Sequence, residues 1–211
     1  MPGFNFLFEA FILLMGLAMA EVLRGFARVL KLRTRRKAGI DLVASSVRVG
    51  WLTPLLGLLV ILDQSTFFLH MYGFRDYLVF NSLSVIGILL LIGWYYLVAS
   101  LTFPDEPADW PDFDKWYFQQ KRWVAGGVLG INIVSIAISA IIIPMERQRE
   151  FAEALSPTML AINSIVLFVF FPSLVWLIFS KRPRVDIVLL ALMIFITLLF
   201  AVVTGGEPAP G

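Results

Sequence analysis

Six long apolar runs divide this chain, and they restrict its possible folds more than any other feature. Each run has about the 20 residues that a helix needs to cross the ~30 Å hydrocarbon layer of a bilayer. A soluble domain of this size usually carries about 25% charged residues, whereas this chain has 15%. The sequence therefore predicts an all-α bundle of six transmembrane helices, forming a single domain over residues 1–211. The predicted spans cover residues 4–29, 47–71, 77–103, 123–143, 157–179 and 185–203.

The cationic residues predict how this bundle is oriented. Fourteen of the 17 Lys and Arg residues lie in or beside the loops that follow the first, third and fifth runs, and the other three are Arg75, Arg147 and Arg149. Cytoplasmic loops of membrane proteins are enriched in Lys and Arg. We therefore expect these three loops in the cytoplasm and both termini outside, in the plasma (inner) membrane of a prokaryote. The basic stretch at residues 24–37 should meet anionic lipid headgroups, so the basic pI gives no reason to expect a nucleic-acid partner.

One hydrophilic connection, residues 105–122, differs from the other loops. It begins with acidic residues and becomes aromatic and basic toward its end. Phe113, Trp116, Tyr117 and Trp123 recur at near-helical spacing, which predicts a short helix lying in the cytoplasmic headgroup region. The alternative is a surface that docks a partner protein.

Two acidic residues within the runs are the strongest functional signal, because charges inside a membrane are costly and are usually functional or paired. Glu9 and Asp63 should lie at a similar outer depth, where two nearby carboxylates would share a proton or hold a cation. The alternative is that each acid hydrogen-bonds a neighbouring Asn or Ser and only fixes helix packing. His70, near the outer end of the second run, is a possible proton relay. The full set of candidates at this level is Glu9, Asp63, Gln64, Asn81, Asn132, Ser135, Ser139 and Asn163.

A second polar group is expected at the inner end of the bundle. Glu21, Arg24 and Arg28 share one face of the first run, and Arg48 begins the second run at a matching level. We expect a structural ion pair from Glu21 to Arg24 or Arg48, with a cytoplasmic gate as the alternative. The sixth run offers little polarity beyond Thr197, so it should be a peripheral, lipid-facing helix.

The residue types that are missing exclude several kinds of chemistry. The chain has no Cys and only one His, which excludes thiolate sites and makes a metal site of ordinary composition improbable. We expect no cofactor, and an enzyme is disfavoured because the acids lack an evident nucleophile or metal partner. The sequence favours a proton or small-cation channel or secondary transporter. The rival hypothesis is a non-transporting membrane subunit or sensor that docks a partner through its cytoplasmic loops, and a homo-oligomer or a membrane complex remains open.

Overall fold

The computed structural model describes the backbone of residues 2–38, 47–73, 77, 81–106 and 110–206, with side chains between residues 9 and 204. This part of the chain is 89% helical and contains no β-strand. The described residues form seven helices, of which α6 contains a π-helical segment, Val166–Phe170, between two α-helical segments, Pro157–Ile165 and Phe171–Phe179. The others are α1 Pro2–Ala38, α2 Leu52–Gly73, α3 Ser82–Thr102, α4 Phe113–Ile142, α5 Met145–Ala154 and α7 Pro183–Gly206.

Six of these helices are long and apolar enough to cross a bilayer, namely α1, α2, α3, α4, α6 and α7. Large apolar side chains such as Leu13, Leu83 and Ile141 are exposed on the outside of the bundle. In water such a surface would be costly, whereas lipid tails are as apolar as these side chains. The prediction of an all-helical membrane protein is therefore confirmed as far as the number of helices that can span a bilayer.

Several helix ends follow from local sequence. Asn81, Asp112 and Ser156 accept a hydrogen bond from a first-turn amide and so cap α3, α4 and α6. Pro104 follows closely after the end of α3, and Pro144 follows the end of α4. The residue before a proline avoids helical geometry, so these prolines stop the helices close to the predicted boundaries.

The start of α4 corrects one sequence prediction. The helix begins at Phe113 rather than at residue 123, so residues 113–122 are its first turns and not a separate interfacial helix within 105–122. No Pro or Gly interrupts the chain between Phe113 and Trp123, so nothing breaks the helix there. The structure also adds α5, a short charged helix without a buried residue, between α4 and α6.

Helix α2 lies at the centre of the described bundle and packs against α1, α3, α4 and α7, while α6 packs against α4 and α7. Sequence analysis placed the sixth run at the periphery, and this prediction is wrong. Helix α7 buries Leu189, Leu190 and Met193 in the core. The sequence gives no sign of which face of α7 is buried, because the helix is apolar on all sides and apolar side chains suit both lipid and protein contacts.

Glycines let α3 and α4 approach closely. A Cβ atom at Gly130 would lie 2.7 Å from the ring of Trp94, and one at Gly127 would overlap the side chain of Val98. Small residues at helix interfaces allow this approach in membranes. The close packing brings Tyr95 of α3 and Asn132 of α4 toward the same part of α2.

Contacts between helix ends show which loops lie together. The Arg28 guanidinium lies 3.6 Å from the Asp105 carboxylate, and the Thr53 hydroxyl donates to the carbonyl of Phe113 at 2.9 Å. Lys121 donates to the carbonyl of Ser180. The ends of α1, α3 and α6 therefore meet the starts of α2, α4 and α7 at one end of the bundle. We call this end the basic end, because it includes the loops that follow the first, third and fifth spans.

Candidate functional site

Asp63 forms the polar centre of the bundle, halfway along α2. Its side chain is only 4% exposed. The Tyr95 hydroxyl donates to Asp63 Oδ2 at 2.8 Å, and Asn132 Nδ2 donates to Asp63 Oδ1 at 2.9 Å. Three helices, α2, α3 and α4, thus each provide one member of the cluster. Both carboxylate oxygens are satisfied by neutral donors.

A second contact joins α2 and α4 farther from the basic end. His70 Nε2 lies 3.1 Å from Ser139 Oγ. His70 follows Asp63 by seven residues, and Ser139 follows Asn132 by seven, so the two helices run parallel and in register over about 10 Å of helix rise. The Ser139 hydroxyl donates to the carbonyl of Ser135 at 2.7 Å, and it therefore accepts from His70.

The four side chains of these two contacts and the Ser135 side chain between them form a row that we call the polar seam: Asp63, Asn132, Ser135, Ser139 and His70. Asp63 is buried at one end of the seam, whereas His70 is exposed at the other. Ser135, between them, is buried and donates to the carbonyl of Ile131 at 2.8 Å. The seam therefore leads from the bundle interior toward the end opposite the basic end.

Gln64, which follows Asp63 in the chain, has unsatisfied hydrogen-bonding capacity. It is fully buried next to Asp63. Within the part of the chain that the structure describes, neither its amide nitrogen nor its amide oxygen has a hydrogen-bond partner. Buried polar groups normally have one. Because adjacent residues on a helix do not face each other, this capacity belongs to another side of α2 and not to the contacts of Asp63.

Three residues of the predicted outer site lie elsewhere. Glu9 is exposed on α1 and Asn163 is exposed on α6, while Asn81 caps α3 through a 2.8 Å bond from the Ser84 amide. The expected cavity with Glu9 and Asp63 as coupled carboxylates is therefore wrong. Residue numbers give the depth of a side chain along a helix, but they do not give the direction in which it points around the helix axis.

A second buried carboxylate lies at the basic end, at the start of α7. Asp186 is 0% exposed and Lys121 of α4 is 2% exposed, with Lys121 Nζ 2.6 Å from Asp186 Oδ2. The Tyr117 hydroxyl also donates to Asp186 Oδ2, at 3.1 Å. Lys121 lies 4.7 Å above the Phe118 ring, a distance at which an ammonium group is attracted to an aromatic face. This ion pair joins α4 to α7.

Sequence reasoning missed this pair, because it placed Lys121 in a loop before the fourth span. One signal was present: Tyr117 and Lys121 are four residues apart, which places them on one helix face once α4 is extended to Phe113. Asp186 also lies within an apolar run near its beginning, where a buried charge needs a partner.

The inner cluster has assembled only in part. Glu21 and Arg24 form the expected ion pair, at 3.1 Å. Arg28 instead donates to the carbonyl of Pro104 at 3.1 Å. The backbone of Arg48 pairs with the start of α4, since its carbonyl accepts from the Phe113 amide at 3.0 Å. The Arg48 backbone thus links the segment before α2 to the start of α4. No contact between Arg48 and Glu21 among the described residues supports the alternative of a cytoplasmic gate.

No group of three or more His, Asp or Glu residues that could hold a metal ion occurs in the described ranges. In comparisons with known proteins, no protein-family model, no curated protein and no solved structure is similar to this chain. Any functional conclusion therefore depends on the geometry of its own residues.

Proposed function

We propose that this membrane protein is a proton channel or a proton-coupled secondary transporter in which Asp63 binds the transported proton. The observation that supports this proposal is the set of partners around Asp63. A carboxyl group that is 4% exposed accepts hydrogen bonds from Tyr95 and Asn132, which are both neutral. Ionisable residues at membrane depth are functional candidates by default.

These neutral partners suit both forms of the carboxyl group. A tyrosine hydroxyl can donate or accept, and an asparagine amide has a donor and an acceptor side. Ionised Asp63 accepts from both, as the structure has them. Protonated Asp63 can donate to the Tyr95 oxygen or, after rotation of the amide, to Asn132. Asp63 can thus gain and release a proton without a change in the backbone.

The polar seam provides a route between Asp63 and the surface. Its outer member, His70, is exposed and carries two ring nitrogens that can bind and release protons. Ser135 and Ser139 line the interval with hydroxyl groups. A proton would therefore enter or leave on the side opposite the basic end.

Proton flux into liposomes tests this function directly. Purified protein is reconstituted with a pH-sensitive dye inside the vesicles, and flux is driven by a potassium diffusion potential. Wild-type protein should carry protons, and Asp63→Asn should reduce the flux to the level of empty liposomes, because an amide cannot release a proton. Glu9→Gln is the matched control, since this acid is exposed outside the seam, and it should keep most of the flux. Wild-type flux in Asp63→Asn would contradict the proposal.

The second candidate is a non-transporting membrane subunit or sensor that docks a partner at the basic end. It is favoured by one observation: Glu9 does not join Asp63, and both oxygens of Asp63 already have partners within the bundle. In that case wild-type protein carries no proton flux, and Asp63→Asn changes the melting temperature while a partner-linked activity is retained. The liposome measurement therefore separates the two candidates.

We also propose that the basic end faces the cytoplasm of a prokaryotic cell, on the basis of its excess of Lys and Arg. The chain has no native cysteine, so single cysteines report accessibility without interference. A cysteine at Ala152 in α5 should react with an impermeant thiol reagent added to intact cells, and one at Ala38 should react only after lysis. Labelling of Ala38 from outside would reverse the orientation.

A further inference from the structure

An open pocket of about 660 Å³ lies at the basic end, between the first turns of α4 and the short link from α6 to α7. Three of its lining residues are cationic, namely Lys121, Arg122 and Lys181. Phe118 and Trp123 form its aromatic part. The pocket is separate from the polar seam, which leads away from this end.

The length of α4 gives the depth of this pocket in a bilayer. The helix has 30 residues and is about 45 Å long, which exceeds the ~30 Å of hydrocarbon. About 20 residues counted back from the end at Ile142 reach Trp123. Trp123 is 72% exposed, and tryptophan is enriched at the boundary between hydrocarbon and headgroups. The residues before it, including Arg122, therefore lie at the level of the lipid phosphates.

The three cationic side chains of the pocket differ in whether their charge is already used in contacts within the protein. Lys121 is used within the protein, because it contacts Asp186, the Ser180 carbonyl and the Phe118 ring. Arg122 and Lys181 are exposed, and neither forms an ion pair with an acidic residue in the described part of the chain. Their positive charges therefore face the pocket and the headgroup layer without an internal anion.

We infer that this pocket binds the headgroup of an anionic phospholipid. The phosphate lies between Arg122 and Lys181, where charge-assisted hydrogen bonds from both side chains neutralise it. One acyl chain continues along the exposed face of Trp123 into the hydrocarbon. The combination of cations at phosphate depth with an exposed tryptophan just below them favours a lipid over a soluble anion. This site does not involve Asp63, so it stands independently of proton transport.

Native mass spectrometry of the full chain in detergent tests the inference. The protein is titrated separately with phosphatidylglycerol, with phosphatidylcholine and with inorganic phosphate. Wild-type protein should prefer phosphatidylglycerol, and the double variant Arg122→Gln/Lys181→Gln should bind it roughly 30-fold more weakly, because each Lys or Arg near an anionic headgroup contributes about 1 kcal/mol. The charge-conserving variant Arg122→Lys/Lys181→Arg should keep most of the affinity.

The matched control is Arg147→Gln/Arg149→Gln, which removes two exposed charges from α5, at the opposite end of the bundle. It should keep the lipid. An equal loss in both double variants, equal binding of phosphatidylcholine, or full competition by inorganic phosphate would each overturn the inference. If the neutral double variant misfolds, the single variants Arg122→Gln and Lys181→Gln replace it, each with an expected loss of about 5-fold relative to Arg149→Gln.

Discussion

The two buried aspartates of this bundle differ in how their oxygens are bonded and in the charge of their partners. Both oxygens of Asp63 have hydrogen-bond partners, whereas Asp186 Oδ1 has none among the described residues. Each accepts a hydrogen bond from a tyrosine hydroxyl on Oδ2, at 2.8 Å from Tyr95 to Asp63 and at 3.1 Å from Tyr117 to Asp186. The next partner differs: Asp63 accepts from the amide of Asn132, whereas Asp186 contacts the ammonium of Lys121 at 2.6 Å. One acid therefore has only neutral partners, and the other has a cation.

This difference separates a site that can change its protonation from a fixed contact. An ammonium group is a donor only, so Lys121 matches the carboxylate form of Asp186 and no other. An amide and a hydroxyl can each donate or accept, so the partners of Asp63 match both of its forms. Burial alone therefore does not identify a functional acid in a membrane bundle, and the chemistry of its partners is the better guide.

The largest expected contrast is between Asp186→Asn and Asp63→Asn. The first leaves Lys121 buried without a counter-charge, which costs about 3–5 kcal/mol of unfolding free energy. In the second, the new amide oxygen accepts from Asn132 and the new amide nitrogen donates to the Tyr95 oxygen, so the change should cost about 1 kcal/mol or less. Unfolding in mixed micelles with increasing SDS measures both variants. Equal losses would mean that the two acids have the same structural role.

A double variant tests whether the Lys121–Asp186 pair acts as a unit. Removing both charges in Lys121→Met/Asp186→Leu should restore most of the stability lost in Asp186→Asn, because replacing a buried ion pair with apolar groups is often nearly neutral. The Tyr117 hydroxyl then lacks its acceptor, which leaves a residual cost of about 1–3 kcal/mol. Additive losses in a double-mutant cycle would contradict coupling between Lys121 and Asp186.

The sequence predicted the coarse architecture because the bilayer sets it. Runs of about 20 apolar residues have few alternatives to a spanning helix, so the six spans were predictable, and Asp63 could be recognised as a charge within a span. The start of α4 was harder to predict, because the apolar run begins at Trp123 whereas the helix begins at Phe113. For this reason Lys121 was placed in a loop rather than in the bundle.

The partners of each acid could not be predicted from the sequence, because they depend on rotation about the helix axes. The sequence predicted similar depths for Glu9 and Asp63, but the first side chain is exposed and the second is buried. Asp186 meets a residue that is 65 positions away in the chain. Tyr95 was not among the predicted site residues, although a tyrosine hydroxyl in a span needs a hydrogen-bond partner.

A smaller contrast is expected between the two tyrosines. Tyr95→Phe leaves Asn132 as the only side-chain donor to Asp63 among the described residues and should cost about 1–3 kcal/mol in unfolding free energy. Tyr117→Phe leaves Asp186 with the Lys121 ammonium and should cost about 1 kcal/mol. Only Tyr95→Phe should also lower proton flux in liposomes. A larger stability loss in Tyr117→Phe than in Tyr95→Phe would reverse the assignment of the two clusters.

The smallest expected change in stability concerns the outer end of the polar seam. Ser139→Ala removes the hydroxyl that contacts His70 at 3.1 Å, and Ser164→Ala in α6 is the matched control. Both hydroxyls donate to a carbonyl four residues earlier, at 2.7 Å and 2.8 Å. Each substitution should therefore change the unfolding free energy by less than about 1 kcal/mol.

Proton flux should distinguish these two serine variants although stability does not. Ser139→Ala interrupts the row of polar groups between Asp63 and His70, so flux in liposomes should fall severalfold, and His70→Gln should cause a similar loss. Ser164 is exposed on α6, away from the seam, so Ser164→Ala should keep wild-type flux. If all three variants conduct like wild-type protein while Asp63→Asn does not, protons reach Asp63 by another route, and the seam only holds α2 and α4 together.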